Sequence, residues 1–283
     1  MTALHLAAVV AAGILASTAV ATAATAPETK NAPDVRIIGL RGAGADSLER
    51  VGLRAYSDGG YEDAEGAFRD AITSHAHDEG DEKKRDANLA QLHSNLAWLY
   101  HEMHRDAEAD SVLRRAIELD RKADGEHGMA AARRTAELAM LNQASGRYQE
   151  SGKLFDEAIE LFAKNPKSEP RDVAFTLQLL ARNYHATGDA TQSESTYRRV
   201  LASLDENETM DASLWATTML DLAELYHATH RDREAREAFE KALKRANDLY
   251  TAGGLSNALV LDPYSVLQRR AETVGAMRDS SPN

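Results

Sequence analysis

Histidine, tyrosine and carboxylate side chains recur along this chain at spacings that invite a search for metal or proton chemistry. His101, His185 and His227 each follow a tyrosine, at Tyr100, Tyr184 and Tyr226. A line of imidazoles on one helix face is the arrangement that a metal site or a pH sensor would use. Their distribution argues against a shared ion. They fall in separate helical units, and neighbouring units lie about one helix diameter apart, ~10 Å, far beyond the ~2 Å reach of a metal bond. A second cluster, His75-Ala76-His77-Asp78-Glu79, offers nitrogen and oxygen ligands, but it sits where a helix is expected to give way to a connection. No Gly-rich phosphate loop, G-x-S-x-G or H-E-x-x-H occurs, and the many carboxylates single out no acid–base pair. The residue pattern therefore predicts no catalytic site, metal or cofactor, and directs attention to binding.

Composition narrows the partners. The chain has 283 residues, of which 43% are hydrophobic and 28% charged, with a net charge of -12 and no cysteine. A phosphate backbone would meet repulsion, and no polybasic segment is present to hold an anionic membrane, so neither nucleic acid nor a membrane surface is expected as a partner. Without cysteine there are no disulfides and no thiolate metal sites. Few aromatics and much Ala, Leu, Glu and Arg favour helices.

The elements that position these residues come from a repeat. A small residue, preceded by a branched apolar one, stands at Gly52, Ala97, Ala139, Ala181 and Ala223, at intervals of 45, 42, 42 and 42 residues. Twelve residues past each anchor come Ala64, Ala109, Ser151, Ser193 and Ala235; four further come Phe68, Leu113, Phe155, Tyr197 and Phe239; three more bring Ala71, Ala116, Ala158, Val200 and Ala242. Spacings of three and four place these residues on one helix face. Each unit thus reads as two antiparallel helices that approach where side chains are small, with Leu and aromatics filling the remaining space. Gly59, Gly146 and Gly188 lie seven past their anchors, where a helix is expected to end in a left-handed residue, and His104 and His230 occupy the same place in the second and fifth units. Those two turns are expected to be strained.

This ladder, with Tyr100, Tyr184 and Tyr226 three past the anchor and Gly-x-Tyr at Gly59-Gly60-Tyr61 and Gly146-Arg147-Tyr148, resembles the tetratricopeptide repeat. The period of 42 resembles the kinesin light chain variety. The resemblance implies an all-α fold, an α-α superhelix of about five helical hairpins over residues 45–250. Ala55 and Asn142 replace the tyrosine, which predicts looser packing in repeats one and three.

In that family the first helices line a binding groove. The resemblance places candidate groove residues one past the anchor, at Leu53, Trp98, Met140, Arg182 and Glu224, and four past it, at Tyr56, His101, Gln143, His185 and His227. Trp98 and Met140 are expected to face solvent as anchors for a protein or peptide partner. The Lys, Asn and Arg with which chaperone-binding members hold a terminal carboxylate are replaced here by Leu53, Trp98, Met140 and Glu49, so that clamp is not expected.

The ends read differently. No charged side chain precedes Glu28, Leu6 to Ala16 is apolar, and small residues at Ala21-Thr22-Ala23 suit a cleavage site, so residues 1–23 read as a signal peptide for export, the mature protein being periplasmic or secreted, with an anchor formed by an uncleaved N-terminal segment as the alternative. Residues 24–44 form a linker whose sticky part is Val35 to Leu40. Asp262 followed by Pro263 starts a further helix, a cap for the array within 251–283. The leading functional reading is an exported scaffold for a protein or peptide, free of the membrane after cleavage. A structural subunit of an envelope assembly and a small-ligand sensor or enzyme remain alternatives.

Overall fold

The computed structural model describes residues 47–77, 80–205 and 212–251, and all regular structure among them is helical. The signal segment, the linker and the C-terminal cap expected from the sequence lie outside these residues, apart from Thr251, which ends the last helix. Ten helices follow in order: α1 (Ser47–Ser57), α2 (Tyr61–Ala76), α3 (Glu82–Glu102), α4 (Asp106–Asp124), α5 (Met129–Ala144), α6 (Tyr148–Lys164), α7 (Pro170–Ala186), α8 (Ala190–Asp205), α9 (Ala212–Ala228) and α10 (Asp232–Thr251).

Consecutive helices pair into five hairpins. The chain divides into two compact units, Met1–Ser168 and Glu169–Asn283. The first holds the hairpins α1–α2, α3–α4 and α5–α6, joined through α2 against α3 and α4 against α5; the second holds α7–α8 and α9–α10, joined through α8 against α9.

The apolar ladder is the core of each hairpin. Phe68, Leu113, Phe155 and Tyr197 are completely buried, as are Ala64, Ala109, Ser151 and Ser193 where the helices approach, and Ala71, Ala116, Ala158, Val200 and Ala242 one turn on. The Ser193 hydroxyl donates to the Ala181 carbonyl at 2.9 Å, which satisfies a polar group at that close approach. The first hairpin leaves no room for a side chain at its anchor. A Cβ on Gly52 would fall 2.7 and 2.8 Å from two ring carbons of Phe68. Gly52→Ala is therefore expected to destabilise the protein by about 1–2 kcal/mol, overpacking outweighing the ~1 kcal/mol helix preference of alanine. A urea midpoint followed by circular dichroism checks this; a gain in stability would contradict it.

All five turns reverse as the residue types require. Gly59, His104, Gly146, Gly188 and His230 have φ of +80°, +58°, +74°, +81° and +59°. The next residue's N–H then closes back onto the first helix, as in Arg105 N–H to the Tyr100 carbonyl and Arg231 N–H to the Tyr226 carbonyl, both 2.8 Å.

Candidate binding face

The first helix of each hairpin carries the candidate residues, and their environments differ. On α1, Leu53 is half-buried, while Tyr56 is buried, its ring 5.6 Å from that of Tyr61. On α3, Trp98 and His101 come together edge to face, centroids 6.1 Å apart, both half-buried. His101 Nδ1 lies 2.7 Å from the Asp106 carboxylate on α4, and the same pairing recurs at His227 and Asp232, at 3.1 Å. These two imidazoles are tied to the first turn of the following helix.

Met140 corrects the sequence expectation. It is only 7% exposed. Leu138 to Asn142 are buried without interruption, and five consecutive buried residues span more than one helical turn, so α5 presents no open face at that level. Gln143, one turn beyond Ala139, is half-buried. Tyr56 and Arg182 are likewise enclosed, and of the apolar candidates Trp98 and Leu53 keep exposed surface.

In the second unit, Ala174 to Asn183 of α7 are all buried. Arg182, expected as a groove cation, instead donates from Nε to the Asp221 carboxylate of α9 at 2.7 Å, with side chains 8% and 3% exposed. Its Nη1 and Nη2 have no hydrogen-bond partner among the described residues. Gln178 reaches the same carboxylate at 2.9 Å and Thr217 at 3.2 Å. His185 is half-buried, and burial lowers its pKa against an opposing pull from Asp221, which leaves it neutral at pH 7. Glu224 and His227 remain half-exposed.

Within each unit a polar ladder thus links successive first helices, and the sequence reading missed it. In the first unit Asn95 donates to Glu49 of α1 at 3.2 Å and accepts from Gln91 at 2.9 Å. Arg134 of α5 donates to Gln91 at 2.8 Å, to Glu137 at 3.1 Å and to Asp120 of α4 at 3.2 Å, and Ser94 donates to Glu137 at 2.7 Å. Burial pushes the Asp120 carboxyl up to about 6, Arg134 opposing and Glu137 and Asp124 adding to it. The available signal was periodicity: two, three and six residues before the anchor lie on the face that carries the residue one past it, although Arg134, five before Ala139, falls outside that register.

No group of three or more potential metal ligands occurs among the described residues, which include His75 and His77 but not Asp78 or Glu79. No helix among them is long and apolar enough to cross a membrane.

Residues 129–206, 215–250 and 90–122 match three family models, each described as a tetratricopeptide repeat, which together cover just over half of the chain. BtubC (BKLC) from P. vanneervenii is 18% identical with a TM-score of 0.61, over 91% of this chain and 95% of that one. The nearly identical TPR-like repeats of a kinesin light chain-like protein from Podosopora anserina are 22% identical with a TM-score of 0.57, over 72% and 95%. A Rap protein complexed with Competence and Sporulation Factor is 13% identical with a TM-score of 0.53, over 88% and 68%. At these identities the likeness is one of fold. A search of curated proteins finds no match.

Proposed function

The chain belongs to the tetratricopeptide repeat family, and from that premise we propose that it is an exported scaffold that holds a protein or peptide segment against the first helices of its hairpins. The observation that carries the reading is Trp98. Most large apolar side chains of α3 are buried within the array, yet Trp98 keeps part of its indole accessible beside His101. A large aromatic at such a position supplies contact area at low entropic cost, and tryptophan is enriched among residues that dominate binding. The polar ladder supports the same reading, because its hydrogen bonds hold the first helices within each unit in fixed register and so preorganise the face that each unit presents. The Rap protein, which is similar in fold, is complexed with Competence and Sporulation Factor.

Export rests on the apolar, uncharged N-terminal segment with its small-residue cleavage site. N-terminal sequencing of the protein recovered from the exported fraction is expected to begin at Ala24; recovery of the intact N-terminus from the cell interior would overturn export.

Binding is tested by affinity capture from the exported fraction with the wild-type chain and with Trp98→Ala, folding being checked by circular dichroism. A partner captured by the first and lost by a folded variant supports the proposed face. A partner retained by both moves binding to another surface, as the envelope-subunit reading would have it.

A further inference from the structure

One set of side chains recurs at every repeat step within each compact unit. It consists of an acid and an arginine, thirteen and seventeen residues past one anchor, meeting a tyrosine or asparagine three past the next anchor and an arginine eight past it. Between α2 and the α3–α4 turn, the Tyr100 hydroxyl donates to Glu65 at 3.0 Å, and Arg105 donates to Glu65 at 2.6 and 3.4 Å. Arg69 donates to the Tyr100 oxygen at 2.8 Å. The Arg105 guanidinium stacks 4.2 Å over the Tyr100 ring and reaches on to Glu108 at 2.5 and 2.6 Å.

Between α8 and the α9–α10 turn the same set recurs. Tyr226 donates to Glu194 at 3.1 Å, and Arg231 donates to Glu194 at 2.5 and 3.3 Å. Arg198 donates to the Tyr226 oxygen at 3.2 Å, and Arg231 stacks 4.2 Å over that ring and meets Glu234 at 2.5 and 2.7 Å.

Between α4 and the α5–α6 turn the latch is built one size smaller. Asp110 replaces glutamate and Asn142 replaces tyrosine. Asn142 donates to Asp110 at 3.2 Å and accepts from Arg147 at 2.7 Å, while Arg114 pairs with Asp110 at 2.7 Å. The shorter acid matches the shorter amide.

Carried onto the remaining repeat step, the register names Gly152, Asp156, Tyr184, Asp189 and Gln192. Gly152 has no side chain to accept a hydrogen bond, and an acid stands at each arginine position, so this set cannot build the latch whatever the arrangement of its helices. Asp189 also serves another purpose. It accepts the Gln192 N–H at 3.0 Å, an N-cap for α8. Arg105 and Arg147, at the equivalent place, make no such cap for α4 and α6. At this position the four repeats that follow another use either an arginine that fastens neighbouring repeats or an aspartate that starts the helix, and the first repeat has Gly60. The step that takes aspartate is the one at which the chain divides into its two compact units.

We propose that the chain unfolds as two cooperative units, before and after Ser168, each held together by its own arginine latches. Stability in repeat arrays is a sum over repeats and nearest-neighbour interfaces, so a step without the recurring fastening is where cooperativity divides. The two tryptophans make this measurable, because Trp98 lies in the first unit and Trp215 in the second.

The experiment is urea unfolding of the full chain followed by fluorescence in two single-tryptophan backgrounds, Trp215→Phe and Trp98→Phe, each with and without Arg105→Ala or Arg231→Ala. Arg105→Ala is expected to lower the Trp98 midpoint and leave the Trp215 midpoint in place, and Arg231→Ala to do the reverse. Hydrogen exchange on the chain with both tryptophans retained repeats the test should a tryptophan variant fail to fold: protection is expected to fall roughly tenfold in the unit that carries the substitution and to hold in the other. Coincident curves that both arginine variants shift equally, or protection lost evenly across both units, would overturn the proposal.

Discussion

Asp221→Ala is expected to destabilise the unit Glu169–Asn283 by about 3–5 kcal/mol, the cost of leaving a buried charge without its counter-ion. The receiving charge is Arg182, 8% exposed in its side chain, whose Nε–H donates to Asp221 at 2.7 Å. Two further guanidinium nitrogens already lack partners among the described residues. Arginine cannot shed its proton to escape, so the strain passes to the α7–α9 packing. Gln178 loses its contact with the same carboxylate. The Trp215 unfolding curve reads the effect directly, and an Arg182→Met, Asp221→Leu double variant should recover much of the loss, since similar apolar volume replaces a buried ion pair at little cost. A loss under ~1 kcal/mol for Asp221→Ala would mean that the pair is solvated and that α7 is less enclosed than its burial implies.

Arg134→Ala is expected to cost a similar amount in the first unit, about 3 kcal/mol at pH 7.5, and less at pH 5. The sign follows from Asp120, whose burial pushes its pKa up to about 6 even with Arg134 beside it. Without the arginine that value rises further. A carboxyl with a raised folded-state pKa contributes stability that is fully present below its unfolded value, near 4, and is lost as pH climbs through the folded value. At pH 5 Asp120 is mostly protonated in the folded state, so the missing cation is felt little there. At pH 7.5 the variant must either bury a carboxylate or hold a proton against solvent. Melting temperatures at the two pH values decide the matter: a deficit that is larger at pH 5 would contradict the assignment of Asp120 as the titrating group.

The repeat was legible because packing imposes it on residue type at fixed intervals. Small residues at the helix approach, large ones four later and a turn residue at positive φ seven past the anchor are steric demands that leave few alternatives, and His104 and His230 stand at φ near +60° as their places in the register require. The candidate face was only partly legible. The position one past the anchor lies between the exposed face and the seam with the neighbouring first helix, so residue identity alone does not decide exposure: Trp98 stays half open, Met140 is covered, and Arg182 turns to Asp221.

In a single amphipathic helix polarity marks the outside, so the sequence does not show which polar residues of the first helices are enclosed. Here Asn95, Gln178 and Asp221 are nearly inaccessible and bond across repeats instead. Asn142 illustrates the same limit. Its replacement of the tyrosine predicts looser packing, yet it is 1% exposed and bonded to Asp110, Arg147 and the Leu138 carbonyl. The compensating change, aspartate for glutamate thirteen past the preceding anchor, becomes meaningful only when the two positions are known to meet.

The central claim is that a partner is held on the face of α3 that carries Trp98. Its most direct test is the affinity of the captured partner for the full wild-type chain, for Trp98→Ala, and for Arg115→Ala, which removes a 59% exposed side chain from α4. The account predicts that Trp98→Ala weakens binding by roughly 30-fold or more, a loss of at least ~2 kcal/mol, while Arg115→Ala changes it less than about twofold. An unchanged affinity in a folded Trp98→Ala protein would contradict it.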